Sequence, residues 1–298
     1  MAEQRLESEV DEAVLRTVTY ADVFDCAPSA RDVHRYLVGV AAPAAATGAA
    51  LARLVPDRLS ERSGLYTLRG REGLVATRRA REAAAARLWP QAVRYGRVLA
   101  QLPFVRMVAV TGSLTRDNSD ARSDIDYLLV TDPGRVWVAR ALTGAVRRVV
   151  RRRGIRLCIN YILSVDALAL ADRNLFTAHE LAQMVPVAGD DVYERLRAQN
   201  TWAREFLPNA DGAPRPIDSP RVRRPAVARP AEARLPGRIV RWVERVERGR
   251  FERKLPLRTP HAPEVVYSAD CFKDHVDSWG ERVLAAYAER LAARGAEA

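Results

Sequence analysis

The chain has 298 residues, 48% hydrophobic and 29% charged, a balance that excludes a wholly disordered polypeptide and suggests roughly two domains. It has no apolar run of about 18 residues, so neither a membrane-spanning helix nor a membrane partner is expected. Its three cysteines (Cys26, Cys158, Cys271) are scattered, with no CxxC pair, which speaks against a disulfide framework or a zinc site. The acidic start of the chain has no apolar segment of a secretory signal, so a reducing cytoplasm is the expected compartment.

The net charge of +11 is unevenly placed. Residues 147–156 carry six arginines and no acid, residues 214–236 six arginines against Asp218 and Glu232, and residues 237–254 seven basic residues against three glutamates. The rest of the chain is slightly acidic. Basic tracts on a near-neutral body point to an anionic partner, a nucleotide or a nucleic acid, although arginine is abundant throughout and only Lys254 and Lys273 are lysines.

In chain order, residues 1–70 read as three helices and a hairpin. Val10, Ala13, Val14, Val18 and Ala21 recur at helical spacing. Ser29 is a candidate N-cap for a second helix, residues 44–54 fit a third, and Ser63-Gly64 marks a turn between two short strands. These are the parts of a winged-helix-like domain. Its third helix offers only Arg53 to a phosphate, which disfavours DNA reading. Residues 71–102 form a connecting helix that Pro90 is expected to kink or divide. Residues 103–210 alternate strands (105–110, 124–131, 156–163) with helices, an α/β (α+β) core built on a mixed sheet. Residues 172–207 are expected to be helical, with a break at Pro186 and Gly189. The Pro/Arg-rich residues 211–236 read as a linker, and residues 237–298 as a C-terminal helical region.

The informative stretch is VAVTGSLTRDNSDARSDIDYLLVT, residues 108–131. A buried strand ends in Gly112-Ser113, ten residues follow, and Asp124-Ile125-Asp126 opens the next strand. Glycine lets the backbone turn tightly beside a phosphate, and Ser113 adds a hydroxyl and an N–H at the start of a short helix. Residues 124 and 126 point to one face of a strand. Two carboxylates there can hold Mg2+ against a triphosphate and assist in-line displacement at the α-phosphorus. Against this stands a turn whose Asp, Ser and Asn side chains merely cap the backbone, although two aspartates within an apolar strand are costly unless used.

This pattern resembles the signature of the DNA polymerase β-type nucleotidyltransferase superfamily. It is most similar to the minimal nucleotidyltransferases, through Arg116 three places after Ser113 and Ser123 just before the first aspartate. The flanking parts resemble a bacterial group of nucleotidyltransferase-like proteins. The resemblance implies an NTP donor, most simply ATP, Mg2+ as cofactor, and transfer of a nucleoside monophosphate with release of pyrophosphate. Gly112, Ser113, Arg116 and Ser123 would bind substrate, and Asp124 and Asp126 the metal.

Members of that superfamily generally carry a third acid on a neighbouring strand, and RLCINYIL (residues 156–163) has none. Strict alternation puts Cys158, Asn160 and Ile162 on one face, so Asn160 is expected at the third catalytic position. An amide can ligate a cation but is no base. Asp166 and Glu180 are substitutes from beyond the strand. The outcomes are a slow enzyme, an acceptor activated differently, or a non-catalytic nucleotide-sensing or nucleic-acid-binding regulator. The acceptor, whether RNA or tRNA, a small molecule or a protein side chain, is not readable. His179 and Glu180 are otherwise expected at the surface, Trp137, Trp202, Trp242 and Trp279 in the core, and Lys273 is a further candidate for a triphosphate.

Overall fold

A computed structural model describes residues 2–55, 57–120, 123–217, 232, 235–258, 265–274 and 279–296. Most of the expected Pro/Arg-rich linker lies outside the described residues. Its Glu232 is described: it accepts from the Phe104 N–H at 2.7 Å and pairs with Arg106 at 2.9 Å.

The N-terminal unit comprises α1 (Ala2–Asp22), α2 (Ala30–Arg35), α3 (Ala44–Leu54) and the hairpin β1 (Leu59–Arg62) with β2 (Leu65–Leu68). Ser29 caps α2 in a reciprocal capping box with Asp32. Val14, Val18, Val33, Leu37, Leu51 and Leu59 form this unit's own core. Arg53, the one cation of α3, is held by Asp11 at 2.7 Å. The next helix, α4 (Leu74–Ala100), runs unbroken through Pro90, so the expected division does not occur.

A six-stranded mixed sheet has the order β6-β3-β4-β5-β8-β7. Its strands are β3 (Val105–Thr111), β4 (Ile125–Thr131), β5 (Leu157–Ser164), β6 (Val185–Ala188), β7 (Val265–Tyr267) and β8 (Cys271–Asp274). Only β4 and β5 pair in parallel, joined by the crossover helix α5 (Val136–Arg151). Two expectations are corrected. Residues 185–188, expected as a helix break, form an edge strand that pairs with β3, and the C-terminal region contributes β7 and β8. All three strands are too short to display a period of two against their surroundings.

Alternation divides β4 throughout and β3 from Met107 on, past an irregularity between Val105 and Met107. Val108, Val110, Ile125, Tyr127 and Leu129 face α4, α5 and α9 (Gly237–Arg258). Met107, Ala109, Leu128 and Val130 face the opposite layer. That layer holds α6 (Leu175–Gln183), α7 (Asp190–Gln199), α8 (Ala203–Phe206) and α10 (Trp279–Ala296), together with Tyr20 of α1. Asp22 of α1 accepts from Arg71 and from Arg290 of α10, each at 2.9 Å, binding the N-terminal unit to the last helix. No helix of the described residues is long and apolar enough to cross a membrane.

Candidate nucleotide site

Asp126 lies between Ile125 and Tyr127, which face the α4 layer, so its carboxylate faces the other side of the sheet. Its register partners are Thr111 on β3 and Cys158 on β5. At the end of β3 the chain enters a single 3-10 turn, Gly112–Arg116. Gly112 has φ +69°, and a Cβ there would stand 2.5 Å from Asp126 Oδ2. The missing side chain is therefore what lets the turn close over the carboxylate.

The loop that follows is firmly tied. Asp117 adopts φ +49° and accepts from Trp89 Nε1 at 2.9 Å and from Arg215 Nη2 at 2.8 and 2.7 Å. Asn118 donates to the Phe24 carbonyl and accepts from Arg81, both at 3.1 Å. Much of the polar spacer thus serves backbone anchoring.

The turn forms one wall of a cavity of about 440 Å³ between the sheet, α1 and α6. Gly112, Ser113, Arg116, Asp126 and Asn160 line it, as do Cys158 and Glu180. Phe176, His179, Glu180 and Gln183 reach it from one stripe of α6, at helical spacing. Tyr20 and Phe24 close it from the N-terminal unit, and Trp279 stands at its edge. Ser113 Oγ lies 2.9 Å from Ser119 Oγ.

Two expected site residues are not brought to the cavity. Ser123 Oγ accepts from the Asp120 N–H at 3.0 Å and donates to Asp120 Oδ1 at 3.1 Å, so it closes a turn. Asp124 meets Arg156, with Nε 2.6 Å from Oδ1. Arg116 does line the cavity, but its guanidinium carbon sits 4.5 Å from the Tyr36 ring centroid and its carbonyl accepts from Arg78 at 2.5 Å.

The expected third position also changes. The register slips between Tyr127↔Ile159 and Leu128↔Tyr161, leaving Asn160 without a partner on β4. This bulge breaks the alternation: Ile162 packs with Leu157 and Ile159, while Tyr161 and Leu163 join the cavity-side layer. Cys158, not Asn160, stands across from Asp126. Burial foremost, then the neighbouring Asp126, pushes the Cys158 thiol up to about 12, so it stays protonated and bonds to that carboxylate. Asp166 is exposed at the far end of β5, away from the site.

Glu180 is the acid that meets Asp126 across the cavity. Burial pushes Asp126 up to about 7; the Cys158 hydrogen bond opposes this, and Asp124 adds to it. Burial pushes Glu180 to about 7 as well, with Asp126 adding to the rise and Lys273 opposing it. His179 is 3% exposed and stacks on Tyr20 at 4.0 Å, correcting the expected surface role. Burial, helped by Arg116, keeps it neutral. Lys273 is held by Asp172 at 2.6 Å. Trp242 and Trp279 are 57% and 47% exposed, so they are not core residues as expected.

The donor chemistry fits a hard divalent cation only in part. Burial drives two acids of one cavity toward neutrality, with Lys273 offsetting the rise of Glu180 only in part, and Asn160 lines the same cavity. Yet among the described residues no three His, Cys, Asp or Glu side chains form a closed cation cage. That suits Mg2+ arriving with phosphate oxygens, since it is commonly held by one or two carboxylates plus its substrate. Comparison with protein families, with curated proteins and with solved structures finds no match to this chain.

Proposed function

We propose that this chain is a nucleotidyltransferase. It moves a nucleoside monophosphate from an NTP, ATP in the simplest case, to a hydroxyl or amine acceptor. The observation that carries this reading is the closure of the Gly112 turn onto Asp126 at the wall of a cavity that also holds Ser113, Asn160 and Glu180. A volume of about 440 Å³ suits one nucleotide. The winged-helix-like unit then acts as a wall of the nucleotide cavity, through Tyr20 and Phe24, rather than as a DNA reader.

In this reading Asp126, joined by Asp124 once it leaves Arg156, would hold Mg2+. When bound, the metal supplies Lewis-acid stabilisation of the charge on the transferring phosphoryl group. Ser113 orients the phosphate tail from the turn. Glu180, with a carboxyl near 7, accepts the acceptor's proton as its oxygen or nitrogen attacks the α-phosphorus and pyrophosphate departs. The neutral thiol of Cys158 keeps Asp126 in position.

A second reading, a nucleotide-sensing regulator without turnover, is favoured by one observation: a thiol rather than an acid stands opposite Asp126. Pyrophosphate release from NTPs with Mg2+, assayed with tRNA, cell lysate and small-molecule pools as acceptor sources, separates the two. Release dependent on Glu180 supports transfer, whereas nucleotide binding without release supports sensing.

A further inference from the structure

The end of α5 is an unusual concentration of charge. Arg147, Arg148, Arg151, Arg152 and Arg153 are all exposed, as is Arg156 in the turn that leads into β5. Residues 147 and 151, and 148 and 152, are i,i+4 neighbours, where like charges destabilise a helix. One or two cations would suffice to offset the helix dipole. Among the described residues no carboxylate forms an ion pair with any of the five arginines at the helix end, while Arg156 alone reaches one, Asp124 at 2.6 Å. The tract therefore runs from the helix surface to the entrance of β4 and β5, beside Asp126 and Cys158.

The outer face of α9 repeats this chemistry with an aromatic added. Arg238, Arg241, Trp242 and Arg245 fall at i, i+3, i+4 and i+7 and are all exposed. Two acids of the same helix turn inward: Glu244 accepts from the N–H groups of Trp137 and Val138, and Glu247 pairs with Arg140, while the third, Glu252, is exposed and pairs with Arg248 one turn beyond the stripe. Guanidinium forks match phosphates, and an exposed indole offers a stacking surface for a base, which favours a nucleic acid over an acidic protein.

We propose that the arginine end of α5 and the turn after it dock the phosphate backbone of a nucleic-acid strand, and that Arg156 exchanges Asp124 for a phosphate when the strand is bound. The strand's role as acceptor rests on the nucleotidyl-transfer reading; the docking does not. The exchange would free the Asp124 carboxylate only when a strand is in place.

The test is fluorescence anisotropy of a short labelled single-stranded RNA, without Mg2+ or NTP, so that its outcome is independent of nucleotide chemistry. Wild type should bind at low salt with a steep negative slope of log affinity against log salt. Combined Arg148→Glu, Arg151→Glu and Arg152→Glu should flatten that slope by about 2, at roughly 0.7 per single-strand phosphate contact. The corresponding Gln variants serve if charge reversal impairs folding. Asp124→Asn should tighten RNA binding several-fold in wild type and leave it unchanged in an Arg156→Gln background. Absence of binding at low salt, an unchanged slope, or displacement of RNA by polyglutamate at equal charge would overturn the docking. Equal tightening in both backgrounds would overturn the exchange.

Discussion

Gly112 and Asp126 are fitted to each other: at φ +69° the glycine turns the chain so closely over the carboxylate that a Cβ would lie 2.5 Å from Oδ2. Gly112→Ala incurs both a left-handed backbone penalty and this clash. It should destabilise the protein by about 1–3 kcal/mol and abolish nucleotide binding. Gly144→Ala is the control, because nothing lies within 4 Å of its added Cβ and it sits inside α5. That substitution should stabilise by about 0.5–1 kcal/mol. Urea denaturation of both variants checks the pair.

Asp126 sets a pH dependence whose sign is fixed by burial. Its carboxyl lies at 3.8 in the unfolded chain and at about 7 in the folded one, so folding favours the protonated form. Its contribution is fully present below about 4 and is lost as pH rises through about 7. Asp126→Asn removes that loss. Without metal or nucleotide, the variant's melting temperature should therefore rise relative to wild type between pH 5 and pH 8. A difference that stays constant across this range would show that Asp126 titrates normally.

In the proposed reaction Glu180 would accept the acceptor's proton. Glu180→Gln keeps the volume and removes the base, so pyrophosphate release should fall by about 10²–10⁴-fold while ATP affinity is retained. The limb near pH 7 in the rate profile should shrink to the part that Asp126 contributes. Steady-state kinetics with ATP titrations checks both. Loss of affinity with an unaltered pH profile would assign Glu180 to binding alone.

How much of this was legible in the sequence differs by element. The strand-turn-strand around Gly112, Ser113 and Asp126 was readable because glycine, a polar spacer and an interrupted apolar run are local signals. Cys158 was visible as a face-mate of Asn160, but its place opposite Asp126 depends on register, and the bulge at Asn160 is set by pairing between distant segments. Glu180 could be named only as an alternative, since α6 comes near Asp126 through packing on the sheet. His179 read as a surface residue because the stack on Tyr20 joins segments far apart in the chain. Pro90 misled for a local reason: a proline's lost hydrogen bond need not end a helix that packs along its length, as α4 does through Trp89, Ala92 and Leu99.

Glu244 of α9 caps α5, accepting from Val138 at 2.7 Å and Trp137 at 3.3 Å. Glu244→Ala leaves those amide groups without this acceptor and should cost about 1–2 kcal/mol. Glu244→Gln, which can still accept, should cost less. Thermal melts of the two variants decide whether the cap or the helix contact matters.

The most direct measurement is calorimetric titration of ATP with Mg2+ into wild type and into the Asp124→Asn, Asp126→Asn double variant. Saturable binding by wild type that disappears in a folded double variant is the expected result. Equal affinity in the two proteins would contradict the nucleotide site at Asp126.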